Sequence, residues 1–259
     1  MANNKIYGTV IIVLLVLVLG LGGYIAYEKV FLTTEEDPMT SIGDVDIDLN
    51  AFYQISNTLN SLDSVFNDSS SSYFGQPYGQ KRVLAKELDD SLANYIALQG
   101  ILLKTGKEQT IPGDVVKSRH NNIFGDNKKY MAKSIDDNGN KINYLADSNS
   151  YKYTLTSTDE YYKSGYVTYN QRTSLTADKV IIKRKIFYVD YSTDTGVVVA
   201  SIYKNNNKTQ YLGKITLSKG VLNPAEVIGK YGSRIMTYEY IFTKEGRDEY
   251  TFYSIEQSK

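Results

Sequence analysis

Few reactive side chains here fall at spacings that chemistry uses. Ser201-Ile202-Tyr203-Lys204 has the Ser-x-x-Lys spacing of serine acyl-transfer enzymes, and Lys104-Thr105-Gly106 has the matching Lys-Thr-Gly. That chemistry places its serine at a helix start and ahead of the Lys-Thr-Gly strand; here the serine falls in a predicted strand about 100 residues after it. The order excludes the reading. Asp136, Asn138 and Asn140 alternate like the opening donors of a calcium loop. The glycine stands fourth rather than sixth and no glutamate stands twelfth, so Asp137-Asn138-Gly139-Asn140 reads as a hairpin turn. Asp44, Asp46 and Asp48 also alternate and read as a solvated face. His120 is the only histidine. A Ser-His-Asp triad would have to use it, yet it sits among Arg119, Asn121 and Asn122 in a patch that reads as exposed. Asp89-Asp90 and Asp159-Glu160 could serve glycoside hydrolysis only if space brought them to the right separation; they read as surface residues. No catalytic, cofactor-binding or metal-binding residue is assigned.

Tyrosine is the remaining hint. The chain has 24 Tyr and no Trp. Tyr161, Tyr162, Tyr166 and Tyr169 cluster as a candidate ligand surface, and Tyr188, Tyr191, Tyr203 and Tyr211 follow. Each ring offers an apolar face and a polar tip, suited to protein or sugar surfaces. Core packing and an AT-rich coding sequence account for many of them.

The elements that would hold these residues come in two blocks. Leu49, Phe52, Ile55, Leu59, Leu62 and Phe66 recur at three and four, which predicts a helix from Asp46 to about Asn67. A second helix is expected from Lys81 to Lys104, with Gly106 at its exit. A third starts at Pro112 and stops at Gly125. From Tyr130 the period changes to two. Strands are expected over Tyr130–Asp136, Lys141–Ala146, Tyr151–Thr156, Tyr166–Leu175, Lys179–Tyr191, Val197–Lys204, Gln210–Leu217, Ile235–Thr243 and Glu249–Glu256. Asn223-Pro224-Ala225-Glu226 caps a brief helix between them. Helices first and an antiparallel meander afterwards predict an α+β fold. The helical part spans 46–125 and the β-rich part 130–259, with two to three helices laid on a curved sheet. Nuclear-transport-factor-2-like and cystatin-like folds share that element order.

Ahead of this domain, Ile6–Tyr27 carries no charged side chain. As a helix it spans roughly 33 Å, about the hydrocarbon thickness of a bilayer. Ile6, Val10, Leu14, Leu17, Leu21, Tyr24 and Tyr27 would face lipid or its interfaces. Cleavage after Ala26 or Gly23 would set bulky Tyr24 or Leu21 two residues upstream, so an uncleaved anchor is favoured over a removed signal. Lys5 and the α-amino group in residues 1–5 favour a cytoplasmic tail, with about 230 residues outside. Residues 28–45, with Glu35-Glu36-Asp37 and Pro38, read as a linker.

Basic and acidic residues balance at 29 each, which gives no electrostatic footprint for nucleic acid. Absence of cysteine removes disulfides, thiolates and zinc–thiolate sites, and leans towards a bacterial envelope. Leu19-Gly20-Leu21-Gly22-Gly23-Tyr24-Ile25-Ala26-Tyr27-Glu28-Lys29-Val30, Asn121-Asn122-Ile123-Phe124-Gly125 and Tyr250-Thr251-Phe252-Tyr253-Ser254-Ile255-Glu256 resemble single-pass envelope proteins of low-GC Gram-positive bacteria. That group has no established activity, so the resemblance implies location and layout and no functional residue. The expected function is a membrane-tethered, non-enzymatic binding or accessory module with the bilayer as one partner and an envelope protein or wall polymer as another. The alternative is an envelope hydrolase with paired carboxylates in a cleft of the β-rich part.

Overall fold

The computed structural model describes residues 49–156, 162–194, 196–217, 222–246 and 249–258. The chain divides into two units, Met1–Val45 and Asp46–Lys259, and only the second contains described residues. The proposed anchor, the linker, Asp44, Asp46, Asp48, Asp159, Glu160 and Tyr161 therefore lie outside them. Among the described residues no helix is long and apolar enough to cross a membrane.

Helix α1 (Leu49–Phe66) forms where its apolar side chains recur at helical spacing, and it buries Ile55, Leu59, Leu62, Val65 and Phe66. The expected stripe does not stay covered along its whole length. Leu49 and Phe52, at its start, are exposed. The stripe outruns the surface it packs on.

The continuous helix expected over Lys81–Lys104 is replaced by three elements. Arg82–Leu84 is strand β1, Ala85–Glu87 is a single 3₁₀ turn, and only Asp90–Leu98 is helix α2. Pairing across about 170 residues overrides local helix preference here: Val83 lies opposite Ile255 and Leu84 opposite Ser254. Asp89 then restarts the helix as its N-cap, accepting from the Ser91 amide at 2.8 Å. Thr105–Pro112, expected as a helix exit and loop, is strand β2. Helix α3 (Gly113–Phe124) follows at once, with Pro112 just outside it.

The strand expected over Tyr130–Asp136 is reduced to β3 (Ile135–Asp137), while those after it fall close to where alternation predicted them: β4 (Asn140–Leu145), β5 (Ser150–Thr156), β6 (Gly165–Leu175), β7 (Lys179–Asp194), β8 (Val197–Tyr203) and β9 (Tyr211–Leu217). Helix α4 (Pro224–Tyr231), β10 (Met236–Lys244) and β11 (Tyr250–Gln257) complete the chain. The fold is α+β and its strand pairs are antiparallel. They form two sheets rather than one meander: a seven-stranded sheet ordered β1-β11-β10-β7-β8-β9 with β6 also on β7, and a four-stranded sheet ordered β2-β5-β4-β3. Strand β7 is the axle. It pairs with β6 along one edge, while its other edge serves β10 as far as Ile186 and β8 from Tyr188 onward. Tyr238, Tyr240 and Phe242 share the inward face, as alternation required, and are fully buried. The main core contains side chains of α1, α2, α3 and both sheets, and a smaller one gathers Phe187, Ile202, Ile215 and Val227 around α4.

One charged contact crosses the main core. Arg184 of β7 donates Nη1 to Asp63 Oδ1 at 2.9 Å and Nη2 to Asp63 Oδ2 at 2.7 Å, joining the sheet to the last turn of α1. Its Nε donates to Asn170 Oδ1 at 2.8 Å, and its carbon lies 4.9 Å from the Tyr240 ring centroid. Arg184 is 5% exposed. Burial works against its charge, but Asp63 and Tyr240 outweigh that and hold the guanidinium above its ordinary range. Tyr78 donates to Asn67 Oδ1 at 2.7 Å, so the 3.1 Å contact between Tyr78 and Tyr240 is a hydrogen bond given by Tyr240. Removing one partner of such a pair strands the other: Asp63→Asn should cost about 3 kcal/mol in urea unfolding. Asp63→Leu with Arg184→Met should cost less than the two single changes summed.

Candidate functional site

Helix α3 carries polar side chains at Asp114, Lys117, Asn121 and Asn122, a spacing that sets them along one flank. That flank forms the wall of an open groove of about 910 Å³. The far wall comes from the β10–β11 hairpin with Glu245 and Glu249, and the ends from Asn149 and from Asp126, Lys129 and Tyr130. Several of these groups are already fixed. Asn149 donates Nδ2 to Asp114 Oδ1 at 3.1 Å, while its backbone oxygen accepts from the Gly113 amide at 2.7 Å. Glu245 Oε1 accepts from the Asp126 amide and from the Thr251 hydroxyl, both at 2.8 Å. Gly125 makes this approach feasible. Its φ is +49°, and a Cβ there would overlap the Glu245 carboxylate.

A second groove of about 310 Å³ runs between α1 and α3. Asn50, Tyr53, Gln54, Asn57, Thr58 and Ser61 line it from α1; Arg119, Asn122 and Ile123 line it from α3. Gln54 Nε2 donates to the Asn122 carbonyl at 2.8 Å and ties the walls together. Arg119 is the only charged side chain of this lining. Its Nε donates to Ala97 O at 2.7 Å and its Nη2 to Gln99 O at 2.6 Å, closing the end of α2. Among the described residues it makes no ion pair. Asn122 belongs to both grooves, so Asn121–Gly125 is a shared rim. Periodicity could have found the uncharged α1 face at Asn50, Gln54, Asn57 and Ser61; the partner helix needed the fold.

Residues singled out by spacing go elsewhere. His120 is buried, not exposed, because it continues the inner face Val116–His120–Ile123 rather than the polar flank. Its ring lies 5.3 Å from Tyr130 and 4.8 Å from Phe124, and neither ring nitrogen finds a hydrogen-bond partner. Burial lowers its pKa from 6.5 to about 4. Among the described residues no serine or carboxylate hydrogen-bonds to it, so none of them forms a triad with it. Asn138 and Gly139 have φ of 51° and 88°, the left-handed pair of a tight hairpin, and Asp136 accepts from the Gly139 amide at 2.9 Å. Neighbouring Asp137 is buried and accepts from the Ser72 amide, the Ser72 hydroxyl and the Tyr95 hydroxyl, a constellation that spacing did not reveal. Asp89 is a helix cap and Asp90 pairs with Lys128 at 2.9 Å. Ser201 lies in β8 opposite Asp190.

The described members of the tyrosine cluster, Tyr162, Tyr166 and Tyr169, do not share one face. Tyr166 is buried, with Tyr78, Phe74 and Tyr188 rings at 4.7, 5.1 and 5.6 Å. Tyr169 stands three residues on and so takes the opposite face of β6. Tyr162 precedes the strand and packs on Tyr191 at 5.7 Å. The rings of Tyr188, Tyr203 and Tyr211 instead form a row, at 6.4 and 5.4 Å, leading from the core to exposed Tyr211.

No known protein-family profile, curated protein or solved structure matches the chain.

Two tests follow from these contacts. Unfolded histidine takes up a proton near pH 6.5 but folded His120 only near pH 4. Its contribution is intact above pH 6.5 and is lost as pH falls towards 4. Between pH 7.5 and 4.5 the parent should lose on the order of 2 kcal/mol more than His120→Leu in urea unfolding. Gly125→Ala should cost about 2 kcal/mol and free the Glu245 carboxylate from the Asp126 amide, visible as faster hydrogen exchange at Asp126.

Proposed function

We propose that the protein is a membrane-tethered, non-enzymatic binding or accessory module of the bacterial cell envelope. Residues 6–27 serve as anchor, residues 1–5 are cytoplasmic, and the α+β domain is extracytoplasmic. The observation that carries the binding role is the open groove along α3. Its walls combine two lysines, amide side chains, carboxylates and a tyrosine, several of them fixed in place by hydrogen bonds. Fixed donors and acceptors of both signs suit a polar polymer with amide, hydroxyl and charged groups, such as a wall glycan with its peptides, and they reduce the ordering cost of binding. Helices packed with antiparallel sheets also suit the analogy to nuclear-transport-factor-2-like and cystatin-like layouts, with the four-stranded sheet as an addition.

The same groove supplies the one observation favouring an envelope hydrolase: Asp114, Asp126, Glu245 and Glu249 all border it. Against this, Glu245 Oε1 already accepts two hydrogen bonds, which commit it to holding the β10–β11 hairpin against Asp126 rather than to a ligand.

Titration of the full chain in lipid nanodiscs with soluble wall-glycan fragments and their peptides separates the readings. Binding should weaken about tenfold in Lys117→Ala or Asn121→Ala, the loss of one to two polar contacts. The ligand should be recovered unchanged. Absence of binding would count against the module, and ligand cleavage abolished by Glu249→Gln would establish the hydrolase.

A further inference from the structure

The start of α1 is the most exposed apolar surface on any helix of the domain. Leu49, Phe52 and Tyr53 are 64%, 52% and 53% exposed, and the Phe52 and Tyr53 rings meet edge to face at 6.2 Å. No charged residue occurs in α1 before Asp63. Such a cluster on a folded surface marks a contact, and an aromatic–aliphatic group without charge suits the boundary between headgroups and acyl chains. Tyr53 is also a wall of the smaller groove, so the apolar cluster and the groove are continuous.

That groove has the complementary chemistry. Apart from Ile123, its described lining is made of amides and hydroxyls around one guanidinium, and no carboxylate occurs among the described lining residues. Arg119 spends Nε and Nη2 on the end of α2, and no hydrogen bond is made by its Nη1 among the described residues. A cation without an ion pair among the described residues, set among neutral donors in a space of about 310 Å³, fits a phosphate-sized anion. A phosphate beside an apolar collar is the chemistry of a phospholipid.

Position in the chain selects that occupant. About 20 residues separate Tyr27 from Leu49, so α1 is the first described element after the proposed anchor. Under the tether reading, a lipid is the partner to which this sequence position brings the cluster nearest. We infer that the end of α1 is a lipid-facing foot: Leu49, Phe52 and Tyr53 enter the bilayer interface, and the Arg119 groove receives a phospholipid phosphate. This rests on the tether reading above. It would hold the α3 rim at a fixed height above the membrane.

Because the chain has no tryptophan, Phe52→Trp places a single reporter in the foot. The full chain carrying it is reconstituted into phosphatidylcholine–phosphatidylglycerol vesicles, with or without brominated acyl chains; Tyr211→Trp is the comparator. Bromine should quench the Phe52→Trp emission by about half and leave the comparator unchanged, as expected of a ring at the interface. Arg119→Gln should reduce that quenching about twofold, the effect of losing one charged contact in a partly hydrated site. Should Arg119→Gln disturb α2, Asn57→Asp decides: Asn57 is exposed and its carboxylate would repel a phosphate without touching the cap. Unquenched Phe52→Trp emission overturns the foot. So does blue-shifted but unquenched emission that grows with protein-to-lipid ratio, which assigns the patch to a second copy of the chain. Quenching indifferent to both groove variants overturns the phosphate site. Failure of the chain to float with vesicles at all would instead remove the tether, and the foot with it.

Discussion

The two-pronged contact between Arg184 and Asp63 fixes the rest of the structure. An arginine this deep in a core is tolerable only when its charge and its N–H groups are met, and Asp63, Asn170, Thr168 and the Tyr240 ring meet them together. Geometry follows from that requirement. A guanidinium accepts a carboxylate in one plane, so the last turn of α1 has one azimuth and one height over β7. With its inner stripe turned to the sheet, α1 must present Asn50, Gln54, Asn57 and Ser61 sideways to α3. The smaller groove is a consequence of the clamp, and so is the exposure of the first turn.

Helix α3 is held just as firmly, by different means. Its inner face sinks Val116, His120, Ile123 and Phe124 into the core. Arg119 fastens it to the end of α2, Gln54 to α1, and the Gly125–Glu245 approach to the β10–β11 hairpin. The rim at Asn121–Gly125 is thus carried by three neighbours that belong to different parts of the chain. A binding surface built on such supports loses little freedom when a ligand arrives. Asn121–Gly125, a stretch already singled out in the sequence, is the border between the two grooves.

Local patterning was enough for elements whose partners are near in sequence. The strands from Gly165 onward alternate strongly and most are joined by short turns rich in Asn, Asp and Gly, so most neighbours pair and boundaries fall within three residues. Strands β1 and β2 were hidden because their preference is set by distant partners: Val83 gains a strand neighbour only when Ile255 arrives. His120 was misread by one position of helical phase, since Asn121 and Asn122 beside it suggested a wet face. Arg184 and Asp63, 121 residues apart, carry no local signal of their pairing. For the same reason the grooves were illegible, while the amide-rich side of α1 was in plain view. Tyrosine abundance turned out to mean mostly core: Tyr151, Tyr238 and Tyr240 are among its largest fully buried side chains.

These contacts make α1 part of the same cooperative unit as the sheet, with only its exposed first turn able to open alone. Native-state hydrogen exchange on the full chain in nanodiscs tests this most directly. Amides of Ile55–Phe66 should exchange only through global unfolding, at the same free energy as those of β7, while residues 49–53 exchange by local fraying. If the Ile55–Phe66 amides instead exchange through a low-energy opening while β7 stays protected, α1 is not clamped, and neither groove has a fixed wall.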